Sequence, residues 1–135
     1  MSAESNIKTV ESLYAAFVQG DIPGLLATLG EDIDWASETT STVAPWYGVR
    51  HGKEAVSSYL QQLAETLEVK DFTPLLYAVA DSDILTVVRF HAVNRATDRP
   101  ITMDLHHQFT FHGDHITYFR GTEDTAQVEA TFHPA

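Results

Sequence analysis

Two hydrophobic periods divide the chain at Leu67. Before it, apolar residues recur every three or four positions; after it, they alternate with polar ones. In the first part Ile7, Val10, Leu13, Tyr14 and Phe17 share one helical stripe, with Ser5 or Asn6 placed to cap its start and Gly20 to stop it. Asp21 caps a short second helix, Pro23 to Leu29, which has proline in its first turn and Gly30 just past its end. Ile33 to Ser37 reads as a strand, and Thr39 to Gly48 as a loop whose Trp46 and Tyr47 need something apolar to fold onto. A third helix runs from about Gly52 to Leu67 and buries Ala55, Val56, Tyr59, Leu60, Leu63 and Leu67.

The alternating part predicts strands at Val69 to Ala80, Ile84 to Arg95, Ile101 to His112 and His115 to Gly121. The links between them, Asp81-Ser82-Asp83, Thr97 to Pro100 and Gly113-Asp114, are short enough that neighbours must be antiparallel. Along Ile101 to His112 one face carries Met103, Leu105, His107, Phe109 and Phe111, and the other Thr102, Asp104, His106, Gln108 and Thr110. The first face is apolar except for one imidazole. If Ala96 pairs with Ile101, Phe90 lies opposite His107, Ala92 opposite Leu105 and Val88 opposite Phe109, while Arg89, His91, Asp104, His106 and Gln108 gather on the reverse face. Asp124 to Phe132 reads as a terminal helix with a D-x-x-Q start. Helices followed by a meander predict an α+β fold, a curved, mostly antiparallel sheet wrapped over three N-terminal helices, with residues 1–135 forming one domain.

Composition narrows the function. A net charge of −11 with only eight Lys and Arg leaves no basic stripe for phosphate, so neither nucleic acid nor an acidic membrane is an expected partner. No apolar run reaches the length of a membrane span and no signal-peptide pattern is present, which points to a cytoplasmic protein. The absence of cysteine excludes disulfides and thiolate metal sites.

Four segments occur in a telling order: Y-A-A-F-V-x-G-D at Tyr14 to Asp21, D-I-D-W at Asp32 to Trp35, P-W-Y-G-x-x-x-G-K-E-A-V at Pro45 to Val56, and H-Q-F-T-F-H-G-D-H-I from His107, followed by E-D-T at Glu123. From Ile7 to about Val128 the chain resembles the SnoaL-like and ketosteroid-isomerase-like branch of the NTF2-like superfamily. The resemblance implies a cone-shaped α+β barrel, a deep pocket between sheet and helices, homodimers through the outer sheet face, and isomerase or polyketide cyclase chemistry without a cofactor. In ketosteroid isomerases a pocket Asp is the base, and a Tyr with a second, protonated Asp binds the developing oxyanion. On this chain the base position falls on Ser37, the second Asp on His107 and the tyrosine on Leu13, with Tyr14 beside it but turned by about 100° on the helix. A further isomerase tyrosine falls on Leu60, next to Tyr59, and the catalytic Asp of SnoaL-type cyclases also falls on His107.

His107 is therefore the candidate catalytic group. A desolvated imidazole stays neutral and can take a proton from carbon alpha to a carbonyl or hydrogen-bond a developing enolate; the plainer alternative is a buried histidine satisfied by a neighbour. Ser37 has no activator of its own, so a base other than His107 would have to be Glu38 from the following loop. Tyr14, Trp35, Ser37, Trp46, Tyr47, Tyr59, Phe90, Phe109 and Phe119 are candidate contacts for a small hydrophobic molecule, with core packing as the alternative for Trp35 and Tyr59. Arg120 faces His107 if Gly113-Asp114 is a two-residue loop; a three-residue turn puts Phe119 there and Arg120 outside, which the family pattern favours. His91, Asp104 and His106 could share a metal, but they lie on the outer face, where polar pairing with Arg89 across a homodimer explains them, so no metal or cofactor is expected. An enzyme and a binding domain that has lost the catalytic carboxylates both remain open.

Overall fold

The computed structural model describes residues 2–133; Met1, Pro134 and Ala135, the ends of the expected 1–135 domain, lie outside the described residues. Helix α1 (Ala3–Gln19) begins earlier than the pattern suggests, because Ser2 is its cap and exchanges hydroxyl-to-backbone hydrogen bonds of 3.0 Å with Ser5. It ends as expected at Gly20, whose φ of 71° is a left-handed conformation that other residues adopt at a cost. Helix α2 (Ile22–Leu26) stops short of Leu29. Thr28 gives its carbonyl to the Ile116 N–H at 3.0 Å, and this draws Leu29 and Gly30 into strand β1 (Leu29–Ser37). Burial wins there: Leu29 is fully enclosed as a strand residue.

A two-residue strand, β2 (Arg50–His51), precedes helix α3 (Lys53–Thr66); two residues carry no periodicity, so the pattern gave no sign of it. Strands β3 (Leu67–Ala80), β4 (Asp83–Asn94), β5 (Pro100–His112) and β6 (His115–Thr122) form the meander, and α4 (Thr125–Ala130) closes the chain behind an Asp124 cap that accepts the Gln127 N–H. The sheet order is β2-β1-β6-β5-β4-β3, antiparallel except where β1 runs parallel to β6. The sheet is strongly curved but open, with β2 and β3 as its edges, so the expected barrel is not closed. Helices α1 and α3 lie over its concave face.

The β4–β5 register differs from the expected one by an even step. His107 sits opposite Thr86, and Phe90 opposite Met103; Ala92 faces Ile101 and Val88 faces Leu105. The turn begins two residues earlier than Thr97. The Asn94 N–H donates to the Arg99 carbonyl at 2.9 Å, its carbonyl accepts the Asp98 N–H at 2.8 Å, and its side chain accepts the Ala96 N–H at 3.0 Å. Asp98, at φ 62°, makes the left-handed step. An even slip keeps every side chain on its face, so the apolar match survives while the partners change.

Asn94 is buried, and its amide also donates to the Thr131 hydroxyl at 3.2 Å, tying the turn to the residue that ends α4. Asn94→Ala is expected to cost about 1–3 kcal/mol, the penalty for leaving buried polar groups unpaired. Urea denaturation checks this; an unchanged midpoint would show that the turn does not depend on that side chain.

Candidate functional site

The alternation on β5 holds. Leu105, Phe109 and Phe111 are buried on the concave face beside His107, whereas Thr102, Asp104 and His106 are exposed on the convex one. Next door, Gly121 of β6 pairs with His107, and a Cβ at Gly121 would lie 3.0 Å from His107 Cδ2 and 3.1 Å from Phe119 Cζ. The missing side chain is what lets the imidazole lie flat toward β6. Phe119 flanks the ring at a centroid distance of 4.9 Å.

The hairpin between β5 and β6 has a two-residue loop, with His112 paired to His115, but a bulge near Phe111 then shifts the register by one. Gly121, not Arg120 or Phe119, therefore faces His107. Arg120 points outward, where it pairs with Asp34 at 2.9 Å and Glu38 at 3.0 Å and covers the Tyr118 ring. Glu38 is thereby occupied outside the sheet and is no base for the concave side.

A pocket opens on the concave face between the sheet and helices α1 and α3. Its volume is about 60 Å³. Of the expected contacts, Tyr14, Trp35, Ser37, Trp46, Tyr59, Phe90 and Phe119 line it together with His107. Two do not. Phe109 is fully buried and packs edge-on against the His107 ring, and Tyr47 stands behind the lining.

Three polar groups meet at the floor. The Tyr14 hydroxyl lies 2.7 Å from His107 Nδ1 and 2.6 Å from the Thr86 hydroxyl. The 100° offset from Leu13 does not remove Tyr14 from the pocket, because the helical stripe is broad enough for both residues to line it. Tyr59, beside Leu60 on α3, likewise reaches in and hydrogen-bonds the Ser37 hydroxyl at 2.9 Å. The Tyr14 chain has two proton arrangements. When Thr86 donates to Tyr14 and Tyr14 to Nδ1, the His107 Nε2–H is a donor; reversed, Nε2 is a bare acceptor. No protein group among the described residues bonds Nε2, which belongs to the lining ring.

Burial decides the protonation states. It lowers the His107 pKa to about 3, with the nearby His106 adding to the effect, so the ring is neutral across the physiological range. Burial likewise pushes the phenols of Tyr14 and Tyr59 up, the second to about 12, so both stay protonated.

Glu123 and Gly121 are lining residues that sequence reasoning missed, and Thr86, bonded to the Tyr14 hydroxyl, was missed as a partner of the site. Alternation carries Phe119, Gly121 and Glu123 to one face, which was the available signal; it was lost because the E-D-T segment follows the strand's end. The Tyr47 hydroxyl donates to Glu123 Oε2 at 2.8 Å, and burial raises the carboxyl's pKa from its ordinary 4.5 despite that bond. On the convex face His91 stands opposite Thr102 rather than near His106, and no group of three metal-ligating side chains converges among the described residues.

Residues 10–119 match the family model described as the SnoaL-like domain. The fold superposes on an NTF2-like protein from Burkholderia xenovorans LB400 with a TM-score of 0.87 at 26% identity, covering 98% of this chain and 99% of that one. A putative isomerase from Rhodopseudomonas palustris gives 0.79 at 22%, covering 98% of each chain. A putative polyketide cyclase from Xanthomonas campestris pv. campestris gives 0.79 at 18%, covering 96% of this chain and 98% of that one. None of the curated proteins matches the chain.

A neutral, buried His107 makes acid destabilising. The unfolded chain takes up this proton near 6.5 and the folded one only near 3, so stability falls as pH drops between those values, by up to about 1.36 kcal/mol per pH unit. In proton NMR the His107 ring is expected to keep its neutral shifts from neutral pH down to about 4, one unit above its folded pKa. A midpoint near 6 would refute the burial.

Proposed function

The chain belongs to the SnoaL-like domain family, and we propose that it binds a compact, largely apolar carbonyl compound and isomerises or cyclises it without a cofactor. The observation that carries this is His107, held on its Nδ1 side by Tyr14 and Thr86 and unpartnered at Nε2 where the pocket begins. In that setting a neutral imidazole donates Nε2–H to the carbonyl oxygen, and the donor strengthens as the oxygen gains charge in an enolate-like transition state. Tyr14 fixes the ring's orientation and supplies the proton that keeps Nδ1 an acceptor.

Size limits the ligand. At about 60 Å³ the pocket suits a compact ligand rather than a fused tetracycle. Trp35, stacked on Phe119 at 3.9 Å between ring centroids, offers a flat wall that favours a planar compound. The putative isomerase and putative polyketide cyclase among the structural neighbours share the fold, and their names point the same way.

His107→Ala is expected to lower kcat by about 10²–10³-fold, the usual loss for one oxyanion donor, while circular dichroism stays that of the wild type. A β,γ-unsaturated cyclohexenone, whose conjugated product absorbs in the ultraviolet, is a suitable probe. Turnover unchanged by the substitution would remove His107 from the reaction, and no turnover by the wild type would leave a binding domain as the better reading.

The convex face supports a homodimer. Leu76 and Leu85 are exposed there, 51% and 40% respectively, beside half-buried Val87, and the polar residues Arg89, His91, Asp104 and His106 lie alongside. A patch with an apolar centre and both signs of charge at its edge is self-complementary about a two-fold axis. Arg89 already pairs with Asp71 at 2.8 Å, which leaves Asp104 for a cation of the second copy. Leu85→Glu is expected to give a monomer in sedimentation; a dimer that persists at micromolar concentration would place the contact elsewhere.

A further inference from the structure

We propose that Glu123 is the proton acceptor of this pocket and that His107 never takes the substrate's proton. This assignment rests on the reading of His107 as the group that binds the carbonyl oxygen. The geometry comes from β6. Gly121 is paired with His107, and Glu123 follows two residues later, just past the end of β6, lining the same pocket as the imidazole. One ligand can then meet both groups at once.

Local contacts suit the carboxylate to the task. Tyr47 holds Oε2 at 2.8 Å, so the side chain is fixed while no protein donor among the described residues engages Oε1. Glu123 is also the only carboxylate among the residues that line the pocket; Asp34 and Glu38 are both turned to Arg120 on the other side of the sheet. The relative base strengths agree. Burial drives His107 down to about 3 and Glu123 up from 4.5, which makes the carboxylate the stronger base of the two.

The reaction balances as a proton shuttle. Glu123 Oε1 takes the proton from the carbon between carbonyl and alkene; the C–H pair becomes the enolate double bond, and the carbonyl oxygen takes the charge against His107 Nε2–H. The Glu123 carboxyl then returns the proton to the far end of the alkene, the electron pair moves back to the carbonyl, and a conjugated ketone leaves. No oxidant, metal or co-reactant is needed.

The test uses a β,γ-unsaturated cyclohexenone with the full chain, following both the conjugated product and deuterium uptake beside the carbonyl. Glu123→Gln keeps the acceptor for Tyr47 but removes the base, and kcat is expected to fall about 10²-fold or more with KM little changed. The wild-type rate should rise along an acid limb that is absent in Glu123→Gln. Tyr47→Phe should move that limb to higher pH, because it deletes the bond that favours the charged carboxylate. Glu123→Gln with wild-type kcat, while His107→Ala is impaired, would overturn the assignment and leave the His107 reading intact. Neither product nor deuterium uptake with the wild type would overturn both. If Glu123→Gln does not fold, the Tyr47→Phe profile decides, and an unmoved limb counts against Glu123.

Discussion

A neutral imidazole enclosed by aromatic side chains is the constraint that the rest of this protein is arranged to meet. Charging His107 where it sits costs about 5 kcal/mol more than in water, from a pKa that falls from 6.5 to about 3 at 1.36 kcal/mol per pH unit. Keeping it neutral is cheap only if Nδ1 has a partner of either polarity. The Tyr14 hydroxyl is such a partner, and Thr86 lets it turn either way. Helix α1 and strand β4 are thus both tied to β5 at one point, and the pocket floor is defined by that junction.

Strand order does the remaining work. Because β1 returns parallel to β6, Trp35 pairs with Phe119 and Ser37 with Gly121, so the pocket wall continues from β5 across two further strands without a break. Two positions keep it hollow. Gly121 leaves room for the imidazole, and Ser37, a small residue bonded to Tyr59, stands where a longer side chain would fill the space. The loop from Thr39 to Gly48 then folds back, burying Trp46 almost completely and setting Tyr47 against Glu123. The helix-and-meander layout follows from hydrophobic burial, whereas the pocket's chemistry depends on a few contacts between residues far apart in the chain.

That difference explains what could be read from the sequence. Period two over Ile101 to His112 was enough to assign His107 to the apolar face, since facing depends only on parity. Its neighbour across the strand pair was not legible. The turn is set by hydrogen bonds of Asn94 and the left-handed backbone of Asp98, and moving it by two residues exchanges Phe90 for Thr86 opposite His107. The bulge near Phe111 had no signature either, yet it seats Gly121 beside the ring. Tyr14 and Tyr59 were visible as helix residues next to the positions where isomerases carry tyrosines, but only packing shows that a broad stripe admits both members of each pair. The cone that the resemblance implies is a curved, open sheet, because the edge strands β2 and β3 do not meet.

The opposite movements of the His107 and Glu123 pKa values have one cause, and it bears on which of them can handle a proton. Desolvation penalises charge whatever its sign, so it weakens the imidazole as a base and strengthens the carboxylate. Had His107 taken a proton from a neutral ligand, two opposite charges would have to appear where none existed, in a medium that solvates neither. A carboxylate that takes the same proton leaves the total charge at one negative before and after; the charge only moves from Glu123 to the ligand's oxygen. Moving a charge within an apolar pocket costs far less than creating a pair, and a neutral hydrogen-bond donor at the destination lowers that cost further. The proposed chemistry therefore tolerates a histidine where the resemblance implies an acidic oxyanion donor, provided that the negative charge enters the pocket from elsewhere, and Glu123 is the lining carboxylate that would bring it.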